Sequence, residues 1–355
     1  MNGARDIAGV ALATLLSVIL AQPSLAQPRK SPAHPAAAKA LPDMAYGDYQ
    51  RGHFLTALAE ATKLAENGDP AAMTLIAEIY ANGIAVGRDD HKAVEWYKLA
   101  AARGDRNAMF ALAMFEFRGR GGPKDPAGAA KLLAEAAKLG HLGATYDLGL
   151  LYLQGNQVKQ DYNRAAALFR RAADGGSPEA QFALANLYKE GRGVPKDAAA
   201  AANLLGKAAI AGNLDATVEF AIAQFNGNGT PKNEPAAAQL FLKAARRGSP
   251  IAQDRLARIL MVGRGLPTDA VEAMKWHIVA KAAGDTDALL DQFAAKQPPQ
   301  LRAEAEKRAK LWLSTAGPAP LAEPTSPAST APAAPVAPSP SKPAASPLPP
   351  QGTKK

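Results

Sequence analysis

The sequence predicts an all-α chain, a solenoid of antiparallel helix pairs repeating every 36 residues. Three observations predict it. Gly68, Gly104, Gly140, Gly176, Gly212, Gly248 and Gly284 keep one spacing without a slip, and so do Gly83, Gly119, Gly155, Gly191, Gly227 and Gly263. Two alanine series run in phase with them, from Ala72 to Ala288 and from Ala100 to Ala280. Capping residues stand at fixed offsets before each expected helix, which a chance periodicity does not produce.

Each unit explains its own pattern. The first helix, A, spans about 70–82 in the first copy and carries Ala72, Ile76 and Ile79 at the spacing of one helix face. Residue 77 and its equivalents are always alanine or glycine, so a neighbouring helix can come close. The second helix, B, spans about 90–103, with Ala93, Tyr97 and Ala100 inward, and Leu133, Phe169, Leu205, Phe241 and His277 stand where Tyr97 does. One such pair cannot cover its own apolar faces, so the copies must stack. Asp69, Asp105, Ser177, Asn213, Ser249 and Asp285 precede the A helices as N-caps, and His141 breaks that series, predicting a weaker start there. Asp89, Asp125, Asp161, Asp197, Asn233 and Asp269 cap the B helices. Many cations fall late in helix B, where the dipole favours them; these include Lys98, Lys138, Arg170, Arg171 and Lys243.

The ends differ in composition. Residues 1–26 read as a secretory signal peptide, with Arg5, an apolar run from Ile7 to Leu20, and small residues at Ser24 and Ala26 before Gln27. That predicts export to the periplasm, or secretion, with no membrane span after cleavage. Residues 27–42 are a linker. Residues 315–355 are rich in Pro, Ala, Ser and Thr and are expected to be disordered, because they cannot bury enough apolar surface to offset ordering entropy.

The run from Ala180 through Leu184, Tyr188, Gly191, Gly193 and Val194 to Asp197 resembles the Sel1-like repeat, as do Trp96-Tyr97 and Ala208-Ala209 for the second helix. The resemblance covers six copies over residues 71–286. It departs locally: alanine replaces the usual glycine at 77, 113, 185, 221 and 257, and Glu116, Gln224 and Leu260 replace the tyrosine. It implies a right-handed, tetratricopeptide-like superhelix that holds a partner rather than one that catalyses a reaction. Residues 43–70, with a shorter loop after Gly52, resemble a tetratricopeptide-like N-terminal cap. Residues 287–314, with Leu301, Leu311 and Trp312, read as C-terminal capping helices.

Little in the sequence points to catalysis. There is no cysteine, which removes thiol nucleophiles, disulfides and Cys-based metal sites. The five histidines lie apart from any metal-ligand spacing, and no P-loop or nucleophile elbow occurs. Ser339 and Lys342 have a Ser-x-x-Lys spacing, but they fall in the tail, where nothing positions a nucleophile. An enzyme acting on cell-wall material or β-lactams is therefore the weakest reading, and no cofactor or metal is expected. The Gly-Arg-Gly loops at 119–121, 191–193 and 263–265 admit two readings: an anion nest, or an ordinary turn with its arginine exposed.

The copies differ most along helix A at positions 71, 75, 78 and 82, a face the periodicity leaves out of the packing. By resemblance to other helix-pair solenoids, the A helices line the concave surface. Glu78, Arg118, Asp147, Gln154, Asn186, Glu190, Glu219, Arg255 and Arg258 are the candidate partner-binding residues on it. A protein or peptide is the expected partner. The formal charge of +9 leaves an anionic glycan or the cell wall as the alternative, and nucleic acid is not expected.

Overall fold

The structure is a computed structural model that describes residues 44–315. The signal peptide, the linker and the Pro/Ala-rich tail read from the sequence lie outside those residues, apart from Thr315. Two helices open the array, α1 (Met44–Gln50) and α2 (Phe54–Glu66). Six A–B pairs follow: α3 (Pro70–Asn82) with α4 (Asp90–Ala102), α5 (Arg106–Arg118) with α6 (Pro126–Lys138), and α7 (Leu142–Gln154) with α8 (Tyr162–Asp174). The remaining three are α9 (Pro178–Glu190) with α10 (Ala198–Ile210), α11 (Leu214–Asn226) with α12 (Glu234–Arg246), and α13 (Pro250–Val262) with α14 (Ala270–Ala282). Helices α15 (Ala288–Ala295) and α16 (Pro299–Thr315) close the array. From α1 to α14 each helix packs on its neighbours in the chain, as a solenoid requires, and α16 packs back on α14.

The boundaries follow from capping chemistry. Asp69 accepts hydrogen bonds from the backbone N–H groups of Ala71 and Ala72, and Asp89 accepts one from Lys92. His141 corrects the expectation of a weak helix start. The amide of Ala144 donates to His141 Nδ1 at 2.9 Å, and the imidazole stacks on Phe110 with ring centroids 4.4 Å apart. A ring nitrogen can accept only when unprotonated, and burial, with Arg106 nearby, lowers the pKa of His141 and favours that neutral form. The A helices end on glycines in the left-handed region, such as Gly83 at φ 66°.

The core is a column of rings and branched side chains. Tyr97, Leu133, Phe169, Leu205, Phe241 and His277 are all buried. Small residues beside them are enforced by contact: a Cβ on Gly149 would come within 2.6 Å of the Phe169 ring. His277 keeps the ring position and satisfies its Nε2 on Asp291 of α15 at 2.9 Å. At the C-terminal end α16 packs on α14, with Trp312 edge-on to Trp276 at 5.6 Å. Its inward residues are Ala305, Ala309 and Trp312. Leu301 and Leu311 are exposed, so they do not share the capping contact the sequence suggested.

The Gly-Arg-Gly loops are joints between consecutive repeats. Gly121 lies so close to the carbonyl of Asp90 that any Cβ would overlap it, and Gly193 stands in the same relation to Tyr162. The arginine between the glycines folds back onto the first residue of the preceding B helix. Arg120 binds Asp90 with two hydrogen bonds, of 2.7 and 3.1 Å, and rests over the ring of Phe115. Arg264 clasps Glu234 in the same way over Phe225, and Arg192 lies over the ring of Tyr162. Arg120 is therefore largely covered, and the backbone carbonyl of the previous repeat occupies the glycine concavity.

Candidate partner-binding face

Adjacent A helices do not close fully against each other, and cavities open between them. The first lies between α3 and α5, about 360 Å³ in volume, with Glu78, Phe110, Met114, Arg118 and His141 in its walls. The second, about 510 Å³, is framed by α5, α6 and α7 and shares Met114 and Arg118 with the first. Its apolar walls are Phe117, Pro126, Leu133, Leu150 and Leu151, and its polar lining is Arg118, Lys124, Asp147, Gln154 and Gln157. A third, of about 480 Å³, carries Lys189 and Glu219. A fourth, of about 290 Å³ at the C-terminal end, is lined by Ile222, Phe225, Ile259 and Val262 with Arg255 and Arg258.

This geometry corrects one expectation. The variable A-helix face is not left out of packing. Leu75 and Asp147 are buried, while Glu78, Asn186, Glu219 and Arg258 are half-buried; Ala71, Arg118, Glu190 and Arg255 are exposed. Every inner A helix has an A helix on each side, so residues on its flanks are partly covered by neighbours. Residues along the crest stay in solvent.

The predicted residues therefore divide. Glu78 and Arg118 line one cavity, and Arg118, Asp147 and Gln154 line the next. Glu219 pairs with Lys189 across one repeat at 2.6 Å, and Glu190 pairs with Arg192 in its own loop at 3.0 Å. Arg258 is engaged by Asp254 and Asp287, which leaves Arg255 as its neighbour toward solvent. Asn186 lines none of these cavities. Position 82 gave Arg118 and Gln154 from its variability, but Phe117 and Lys124 carried no such signal. Phe117 stands where other copies have Ala81, Leu153 and Lys189, a position the periodicity does not mark.

Electrostatics single out two carboxylates. Burial pushes the pKa of Asp147 up to about 7, and neither of its oxygens accepts a hydrogen bond from a described residue. Burial, with a smaller contribution from Asp105, pushes Glu78 up to about 7. Asp90 and Glu234 go the other way. Hydrogen bonds from Arg120 and Arg88 hold Asp90 well below the usual carboxylate range, and those from Arg264 and Lys232 bring Glu234 down to about 2. Among the described residues no cluster of three or more His, Asp or Glu side chains is placed to hold a metal ion. Nor is any described helix long and apolar enough to cross a membrane.

Known proteins share this architecture. The Sel1 repeat matches residues 70–105, 106–141, 143–177, 178–213, 218–249 and 250–285. Among solved structures, a protective antigen present in uropathogenic Escherichia coli strains and displaying an SLR fold is 26% identical with a TM-score of 0.64. The match covers 73% of this chain and only 57% of the antigen. A Sel1 repeat protein from Oxalobacter formigenes is also 26% identical, with a TM-score of 0.60, over 67% of this chain and 95% of its own. No curated protein matches the chain's sequence.

Proposed function

The chain belongs to the Sel1 repeat family, and from that premise we propose that it is a non-catalytic scaffold or regulator that holds a protein or peptide partner along its concave A-helix face. The carrying observation is the run of cavities between successive A helices, which mix apolar walls with a few polar groups, the composition that suits a peptide. The signal-peptide pattern of residues 1–26 supports a periplasmic setting. Nothing in the structure favours the anionic-glycan alternative. Arg88, Arg120, Lys189, Arg192, Lys232, Arg258 and Arg264 are engaged in internal ion pairs, which absorbs part of the positive charge that suggested it.

Site-specific photo-crosslinking in intact cells tests this reading. A photoreactive residue at Leu150 or Ile222, on the concave side, is expected to trap a discrete protein adduct. One at Lys98 or Lys207, on exposed B-helix surface, is expected to trap none. Adducts arising only from the B-helix positions would remove the concave face from the proposal. N-terminal sequencing of the same purified protein checks export: a mature chain starting at Gln27 supports it, and a retained Met1 opposes it.

A further inference from the structure

We infer that the cavity framed by α5, α6 and α7 is the anchor pocket for one aromatic side chain of the partner that carries a hydrogen-bond donor, tyrosine or tryptophan, with an acidic group next to it. The inference rests on the peptide-binding reading above and specifies its chemistry.

Three features of the cavity define this occupant. Its size, about 510 Å³, and its walls of Met114, Phe117, Leu133, Leu150 and Leu151 suit a broad apolar body rather than a thin alkyl chain. Asp147 contributes to the lining, is 7% exposed, and keeps two buried oxygens that accept nothing from the described residues. A buried carboxylate with no donor is costly, and an entering hydroxyl or indole N–H supplies what is missing. The charged groups at the exposed part of the lining are Arg118 and Lys124, both cations. They oppose a lysine or arginine approaching Asp147 and favour an acidic residue, or a chain terminus, beside the aromatic one. At the positions equivalent to Asp147 stand Leu75, Ala111, Ala183, Glu219 and Arg255, of which only Glu219 is also an acid, and it is already paired with Lys189.

The chain's own tail does not meet this description. Residues 316–355 contain no Tyr, Trp or Phe and a single acidic residue, Glu323. Those residues therefore do not supply the occupant, which is assigned to a partner chain, and a second copy is one outcome of the test.

An array of immobilised ten-residue peptides in matched sets, probed with the labelled full chain, tests the pocket. Members of a set differ only at the centre (Tyr, Phe, Leu or Arg) and in whether Asp or Ala follows. With binding read at pH 8, where Asp147 is ionised, tyrosine is expected to exceed phenylalanine by about tenfold, the loss attached to one hydrogen bond with a charged acceptor. A following Asp is expected to strengthen binding, and Arg at the centre to weaken it. Asp147→Leu is expected to erase the preference for Tyr over Phe while phenylalanine peptides still bind. That retained binding also reports that the variant is folded. Equal binding of Tyr and Phe members, a Tyr preference that survives Asp147→Leu, or a preference for Arg overturns the assignment. If all members bind alike and Leu150→Arg abolishes that binding, the groove stands and the pocket chemistry falls. If no member binds, both readings fall. A Tyr preference accompanied by a concentration-dependent dimer without peptide assigns the pocket to a second copy and overturns the partner peptide.

Discussion

His277 Nε2 meets Asp291 Oδ1 at 2.9 Å, so the last ring of the core column is tied to a carboxylate on the short helix that follows the repeats. The same carboxylate also accepts from Lys281. His277 is 3% exposed and its Nδ1 finds no described partner, so the Asp291 contact is what this imidazole has in place of water. Asp291→Ala is expected to lower the thermal midpoint of the chain. Repeating it in a His277→Phe background, where the ring matches Phe169 and Phe241, is expected to cost much less. Equal losses in the two backgrounds would show that the contact does not support the column.

Arg120 and Asp90 provide a second measurable coupling. Both side chains are largely covered, the geometry is bidentate, and Phe115 backs the guanidinium. A double-mutant cycle with Arg120→Ala and Asp90→Ala is expected to give a coupling of about 1 kcal/mol, read by denaturant unfolding. A value indistinguishable from zero would reduce the clasp to a surface ion pair.

Gly121 and Gly122 separate backbone geometry from loop flexibility. Gly121 has φ 66° and its Cβ direction runs into the Asp90 carbonyl, whereas nothing lies within 4 Å of the Cβ direction at Gly122. Gly121→Ala is expected to destabilise by about 2 kcal/mol or more, and Gly122→Ala by little. Comparable melting curves for the two variants would contradict the close approach.

The carboxylates predict opposite pH responses. Asp147 and Glu78 are raised in the folded chain, from 3.8 and 4.5 to about 7. The folded state thus binds more protons than the unfolded one between about pH 4 and 7. Their contribution is fully present below that window and is lost as pH rises through it. Asp90 and Glu234 are depressed, so theirs is present above about pH 4 and is lost as pH falls. Asp147→Asn is therefore expected to stabilise the chain at pH 8, on the order of 2 kcal/mol, and to change little at pH 4. Melts at the two pH values check this, and an equal shift at both would refute it.

The repeat register, the caps of the six repeats and the column of residues equivalent to Tyr97 were legible in the sequence because each recurs at a fixed position of the 36-residue unit; beyond the repeats Asp287 caps α15, not the expected Asp285. His141 was misread because capping preferences for Ser, Asp and Asn describe oxygen acceptors, and an imidazole nitrogen does the same work when burial keeps it neutral. The binding face was legible only in outline. Variability marked Arg118, Asp147 and Gln154, but their sharing of one cavity depends on how α5, α6 and α7 sit against each other. No single-unit pattern encodes that relation. The roles of Arg120 and Arg264 stayed hidden for the same reason: each partner stands thirty residues back, in the preceding copy.

That spacing alternates along the chain. Where the loop carries Arg120, Arg192 or Arg264, the residue thirty back is Asp90, Tyr162 or Glu234; where it carries Asn156 or Asn228, that residue is Pro126 or Ala198. Repeats one and two, three and four, and five and six are joined by this arginine, while the two seams between these pairs are bridged differently, by Arg171 on the Ala137 carbonyl and by Lys189 on Glu219. Under a pulling force from the ends, load then passes through two kinds of fastener in alternation, and each seam between the six repeats carries one.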